Sequence, residues 1–595
     1  MMGLAGGAAF GPQALADECW PECERVYRAI DLGPIGDSIA LGLPFLRDLT
    51  FGINRHGDVV WFVYESDPFA GEKIRSFVRL TKAKFGLQPL TAYELLPPSD
   101  LVGRTAVVAT AINDDGWIAG YVGDEPNLTF VSVDDDEGAR AVVWRLFDAD
   151  TNANPPLIPA QNVHPIEVQT TTPTETSCSS ALHAINNDPD PLVGGRVRMK
   201  FCPTACGEFP PSVDWPIGFT RRVNPLGGAW GHPGTTGAPS VALDVNTPEA
   251  PSLPVTVGYD TRDGDACPPV LPEPTSCTTP DNPRDGLLWG FSNPIPVVLD
   301  GLDGALDTGS ERARGIADDG FIVGSTVVPI GVAFQCQRRA VGWSSPTTVL
   351  NLHDVCGLGD LSSQAEAVTT AANVQPAALR IAVGGEDVFS RGYVWFETSA
   401  GPWCCQRFDD VATSSIPDVP TNQLRVRYGH AVAPTGQVVA DASIDTGGFP
   451  APIAFPRAVL LTCFHDFNGD FRVDGAELGM LLNAWGPVGE EDSGDFDFDC
   501  NGVVDGADLG ILLLAWTVGD EPCAIGEHSG LDCGCVGAEA MASGDGALVD
   551  AALHLAGFPT ADGFVEWGLS ASPEQLESVA LFVRSILVAI EPATE

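Results

Sequence analysis

Oxygen-bearing side chains recur at fixed intervals in two short stretches toward the C-terminal end of the 595-residue chain. In the first, Asp466, Asn468, Asp470, Asp474 and Glu477 hold positions 1, 3, 5, 9 and 12 of a twelve-residue frame, with Arg472 at 7 and Val473 at 8. Thirty-one residues later Asp497, Asp499, Asn501, Asp505 and Asp508 hold the same positions, with Val503 at 7 and Val504 at 8. Calcium is a hard cation that takes six to eight oxygens, and such a loop offers carboxylates at 1, 3, 5 and 12 and a backbone carbonyl at 7. Arg472 and Val503 would serve through their carbonyls alone. Two calcium sites are therefore predicted. Position 6 separates them: the second loop has Gly502, whereas the first has Phe471, a bulky residue strained at positive φ. The 497–508 loop is expected to bind more tightly, with bidentate Glu477 compensating in part in the first.

Each loop runs into an apolar stripe at helical spacing: Leu478, Leu481, Leu482 and Trp485 after the first, Leu509, Leu512, Leu513 and Trp516 after the second. Facing each other, the stripes would form a small shared core. No amphipathic helix precedes either loop, so the units are loop-then-helix. This layout resembles the type I dockerin module, and residues 461–520 cover its length. The resemblance implies calcium in both loops and docking of the paired helices on a cohesin-like or cell-surface protein. Recognition side chains in that family lie near loop positions 10 and 11, which are Gly475-Ala476 and Gly506-Ala507 here.

Ahead of this segment one phrase recurs: a β-branched residue, a polar turn, then aliphatics and often glycine. Its clearest copies are Ala111 to Gly120 (AINDDGWIAG) and Arg314 to Gly324 (RGIADDGFIVG), and weaker ones surround Ile53, Ile185, Val245, Val368 and Val432. A second apolar run, often led by arginine, follows each: at Arg75, Arg140, Arg339, Arg391 and Arg457. Asn/Asp-Asp-Gly suits a tight hairpin because glycine, asparagine and aspartate tolerate positive φ. The anchors lie on average about 63 residues apart, longer than common propeller repeats, with the surplus in Pro-, Thr- and Asp-rich insertions.

Radial arrangement protects the edges of short antiparallel sheets, so the reading is mainly β: a propeller of about seven blades, a small all-α calcium-binding dockerin-like module, and a short helical C-terminal tail. Arg25 to Leu32 is placed to supply a closing strand to the last blade. The AINDDGxIxG turn and following RAVxW run resemble the HAF-type extracellular repeats of secreted bacterial proteins, which implies a propeller-like extracellular scaffold. The tryptophans of these runs (Trp61, Trp144, Trp289, Trp343, Trp395) are expected in the core.

Lys plus Arg number 31 against 79 Asp plus Glu, a net charge of −48, which argues against nucleic acid and anionic lipid as partners. No run approaches the roughly 20 apolar residues of a membrane span. Sixteen cysteines, some close in sequence (Cys202 and Cys206, Cys267 and Cys277, Cys336 and Cys356), suit an oxidising compartment, and disulfides are expected there with their connectivity open. Residues 1–16, ending Ala14-Leu15-Ala16, read as the remnant of a signal peptide. The expected divisions are thus 1–16, a repeat domain over 17–460, the calcium module over 461–520 and a Cys-containing helical tail over 521–595.

No HExxH helix, G-x-S-x-G turn or phosphate loop is present in the sequence, and the nine histidines are expected at turns or on the surface. No catalytic residue is assigned. The leading expectation is a secreted or cell-surface non-catalytic protein, a propeller that binds a polysaccharide or protein ligand and a module that attaches it. The competing one is an extracellular polysaccharide-degrading enzyme of glycoside hydrolase type, with two acids in a central funnel.

Overall fold

A computed structural model describes residues 27–35, 51–67, 71–123, 139–153, 156–165, 167–169, 175–199, 215–223, 226–232, 240–247, 253–260, 285–290, 295–302, 311–330, 335–359, 361–371, 378–386, 391–398, 403–414, 424–445, 454–463, 465–468, 472–487, 496, 503–504 and 506–514. The protein is mainly β. Among the described residues, α-helices longer than one turn occur only at Gly475–Asn483 and Gly506–Leu514, and no helix is long and apolar enough to cross a membrane.

The strands form successive antiparallel meanders. The first joins Gly52–Ile53, Val59–Asp67, Gly71–Arg79 and Ala92–Leu96, and the second Ala106–Ile112, Trp117–Gly123, Arg140–Arg145 and Ile158–Asn162. Later units open on Glu175–Ile185, Ser240–Val245, Arg312–Ile316, Ser363–Thr370 and Leu424–Val432. In the third, the short strand Glu167–Gln169 pairs with both outer members of the sheet and closes it into a small barrel. Each opening strand lies beside the opening strand of the next unit, and Leu424–Val432 lies beside Gly52–Ile53.

All seven β-branched anchors of the repeat fall on opening strands, and the arginine-led runs fall on, or lead into, third strands. The trailing glycine of the phrase has a packing cause. Opening strands carry bulges, for example between Ala109 and Ala111 and between Ala313 and Gly315. The bulge turns a carbonyl toward the second strand, where a Cβ on Gly120 or Gly324 would overlap Val108 O or Arg312 O. The turn glycine has a conformational one. Gly116 sits at φ 80° after an Asn113 C=O to Gly116 N–H hydrogen bond of 3.2 Å, a left-handed step that closes a three-residue hairpin loop.

The asparagine of the turn holds neighbouring units together. Asn113 Oδ1 accepts from Trp117 N at 2.8 Å within its own hairpin, while Nδ2 donates to Asn186 O of the next unit at 3.1 Å. Asn54 Nδ2 donates likewise to Asn113 O (3.0 Å), and Asn186 Nδ2 to Asn246 O (3.2 Å). A second rail runs one residue further along, as the N–H groups of Arg55, Asp114, Asn187 and Thr247 donate in turn to Asp114, Asn187, Thr247 and Asp318 side chains. With Asn246 Nδ2 donating to Ala317 O at 3.5 Å, five consecutive units are joined by paired hydrogen bonds at their tips.

Farther out, the third-strand tryptophans Trp144, Trp289, Trp343 and Trp395 have no exposed surface. Three of them also lock onto the preceding unit, with Nε1–H donating to Leu96 O at 2.7 Å, Asp300 O at 2.8 Å and Leu352 O at 3.0 Å. Burial on both faces leaves these rings as packing elements with no face for a ligand.

The seventh unit takes its fourth strand from the other end of the chain. Tyr27–Pro34 pairs antiparallel with Ala454–Cys463, from Tyr27 opposite Cys463 to Pro34 opposite Arg457. Its free edge is covered in turn by Ala412–Ser414 in parallel, which removes an unpaired edge. Arg457 clamps Asp31 through two hydrogen bonds, the Nε one at 2.8 Å. Cys356 is bonded to Cys405 rather than to its nearer neighbour Cys336, tying the end of the fifth unit to the outer strand of the sixth. Cys404 is also disulfide-bonded. Cys202, Cys206, Cys267, Cys277, residues 1–16 and the tail 521–595 lie outside the described residues.

Candidate metal centre

The last strand of the seventh unit ends at Cys463, and the first predicted loop begins three residues later. Asp466, at position 1, has no exposed surface and accepts from Thr462 Oγ1 at 2.6 Å. Asn468, at position 3, is half-buried, and its carbonyl accepts from Arg79 Nη2 at 3.2 Å. Asp470 and Phe471 lie outside the described residues, as do Asp497, Asp499, Asn501, Gly502 and Asp505 of the second loop.

Asp474 and Glu477 open the helix Gly475–Asn483. The Asp474 carboxylate accepts from Ala476 N at 2.8 Å, and Glu477 Oε2 accepts from Asp474 N at 2.9 Å, a reciprocal capping box. Positions 9 and 12 thereby act first on the backbone, fixing where the helix starts. Glu477 is fully buried, as is Asp508 at position 12 of the second loop. Leu478, Leu481 and Leu482 of the first helix and Leu509, Leu512 and Leu513 of the second are buried, and the two helices touch. Trp485 lies just past the first helix and is half-buried, while Trp516 is outside the described residues. Val503 and Val504 pair antiparallel with Pro487 and Gly486, which binds the second loop to the end of the first helix.

Among the described residues, no group of three or more His, Cys, Asp or Glu stands together as a metal cluster. The donors present fit a hard cation nonetheless. Asp466 and Glu477, at positions 1 and 12 of the first loop, and Asp508, at position 12 of the second, are carboxylates with no exposed surface. All donors offered are oxygens, the chemistry calcium prefers.

Residues that the sequence reading did not single out surround the first loop. The Arg28 guanidinium of the N-terminal strand lies 3.7 Å over the Phe467 ring, and Phe467 stacks on Phe496, the residue before Asp497, at 4.2 Å. The signal available beforehand was only the aromatic beside the first acid of each loop.

The histidines divide differently from expectation. His56 is half-buried at its turn, but His232 and His430 are buried on strands and His353 is buried in the one-turn helix Leu352–Val355. His232 Nε2 meets Thr220 Oγ1 at 2.9 Å, and burial lowers its pKa to about 3, which keeps it neutral. His353 Nδ1 meets Ser363 Oγ at 2.8 Å, and His430 Nε2 meets Asp441 Oδ1 at 3.1 Å. They bond to strand residues on the spot, which spacing along the chain does not reveal.

Compared with known proteins, the chain matches no family model, and no curated protein is significantly similar to it.

Proposed function

We propose that this is a secreted or cell-surface, non-catalytic protein in which a seven-bladed propeller presents a binding surface and a dockerin-like two-calcium module attaches it to a partner. The neighbour order of the opening strands, which returns from the seventh to the first, supports the propeller, with Tyr27–Pro34 as its closing strand. Disulfide bonding at Cys356, Cys404 and Cys405 supports an oxidising, extracellular setting. The observation that carries the calcium reading is the placement of buried carboxylates at position 1 of the first loop and position 12 of both, each loop leading into a helix with an apolar face. Calcium would be held by Asp466, Asn468, Asp470, Asp474, Glu477 and the Arg472 carbonyl, and by Asp497, Asp499, Asn501, Asp505, Asp508 and the Val503 carbonyl.

Calorimetric titration of the full chain with calcium, alongside far-ultraviolet circular dichroism, tests this. Two binding events and a gain in helicity are expected; absence of heat at millimolar calcium refutes it. Attachment is tested by capture of a cohesin-like module with and without chelator.

One observation favours a second reading, a polysaccharide-degrading enzyme. Asp114 and Asp318 stand on the turns of the second and fifth units. Burial raises both carboxyl pKa values, and the Asp114 charge raises Asp318 further. Turnover of a polysaccharide that D114N and D318N both abolish would establish it; turnover insensitive to both would remove it. The same two carboxylates already accept backbone hydrogen bonds in the tip ladder, a structural duty that favours the first reading.

A further inference from the structure

We infer that the first calcium loop is a clasp on the seam where the two ends of the β domain meet, so that calcium at 466–477 and attachment of strand Tyr27–Pro34 stabilise each other. The inference rests on the calcium reading above and adds where the binding energy goes.

Among the described residues, the seam is the one place where a four-stranded unit is completed by a strand from the far end of the chain. Arg28 of that strand is directly opposite Thr462 of the last strand. Thr462 is fully buried, and its hydroxyl donates to Asp466, the first ligand position, at 2.6 Å. On the same strand the Arg28 guanidinium covers Phe467 at 3.7 Å, and Phe467 in turn stacks on Phe496 at the threshold of the second loop. Arg79, from the third strand of the first unit, reaches the next loop residue by donating to Asn468 O at 3.2 Å. Residues 466–468 thus touch the last strand, the closing strand and the first unit together.

Linkage makes the coupling reciprocal. Any contact that holds 466–468 in the ligand-bound arrangement raises calcium affinity, and calcium raises the stability of whatever makes that contact by the same factor. A cation stacked on an aromatic ring, a hydroxyl bonded to a carboxylate and a guanidinium bonded to a loop carbonyl are contacts strong enough to transmit it.

Hydrogen exchange on the full chain, with calcium and with chelator, reads the coupling at the strand, and calorimetry reads it at the metal. Calcium is expected to slow exchange at 27–34 and 454–463 as well as in the loops. Thr462→Val keeps the strand's shape and removes one hydrogen bond to a charged group, so first-loop affinity should fall roughly tenfold and the added protection at 27–34 should shrink. Second-loop affinity should stay as it is. Arg28→Lys keeps the charge, loses the planar stack and should act in the same direction, which covers the case in which Thr462→Val does not fold. Normal calcium heats with unchanged exchange at 27–34, or wild-type affinity in either variant, overturn the clasp while leaving the calcium sites intact. No calcium heat at all overturns both.

Discussion

Replacing Asn113 by alanine removes two hydrogen bonds from a site that water does not reach. Asn113 is 1% exposed; its Oδ1 satisfies Trp117 N at 2.8 Å and its Nδ2 satisfies Asn186 O at 3.1 Å. Alanine leaves one N–H and one C=O of adjacent units without those partners. At about 1–3 kcal/mol for each buried polar group left unsatisfied, the loss is about 2–6 kcal/mol, well above a typical surface substitution. Asn113→Asp sharpens the test. At neutral pH it keeps the acceptor for Trp117 N, but sets a carboxylate against the Asn186 carbonyl where there is little solvent to screen it. It should be at least as damaging as alanine at pH 7 and recover partly in acid, when a protonated carboxyl can donate again. Urea unfolding of the full chain at fixed calcium, followed by tryptophan fluorescence, measures the midpoint shift. A loss under about 0.5 kcal/mol for Asn113→Ala, or an Asn113→Asp variant as stable as the wild type at pH 7, would refute the claim that the ladder holds the units together.

Trp144→Phe keeps most of the buried ring but frees Leu96 O from the indole N–H at 2.7 Å, and should cost about 1–3 kcal/mol in the same assay. Cys405→Ser opens a covalent link across 49 residues and should cost about 4 kcal/mol by loop-closure entropy, a difference from wild type that disappears under reducing conditions. Burial raises the Asp244 pKa to about 7 against the opposing pull of the Ile316 and Val245 N–H groups. Since this acid binds its proton more tightly when folded, its contribution is complete below about pH 4 and is lost as pH rises through 7. Asp244→Asn should therefore flatten the pH dependence of thermal stability between pH 4 and 7; an unchanged slope would rule out Asp244 as its source.

The repeat was legible because it is written in residues whose reasons are local. Gly116 and Gly320 stand where the backbone turns left-handed, the anchors Ile112 and Ile316 end opening strands, and the tryptophans of the third strands are buried as large apolar rings should be. The leucine faces of both helices are likewise short-range features that follow from spacing, whereas the capping box of Asp474 and Glu477, read only as ligand positions, came from the structure. What escaped the reading was the second use of such residues. Asparagine at 54, 113 and 186 reads as a turn former, but its amide also spans to the next unit, 59, 73 and 60 residues on, because the units are stacked side by side.

Residue order alone therefore determined that the chain is mainly β, that its strands come in repeated hairpins and that two oxygen-rich frames each precede an apolar helical face. Only the tertiary structure decided that Cys356 bonds to Cys405, that His430 meets Asp441 inside a sheet, and that Arg28 comes to rest on Phe467 some 440 residues later. The physical reason is one of range. Turn geometry, capping and hydrophobic period act over a few residues and leave a trace in spacing, whereas these contacts depend on which faces the folded sheets bring together.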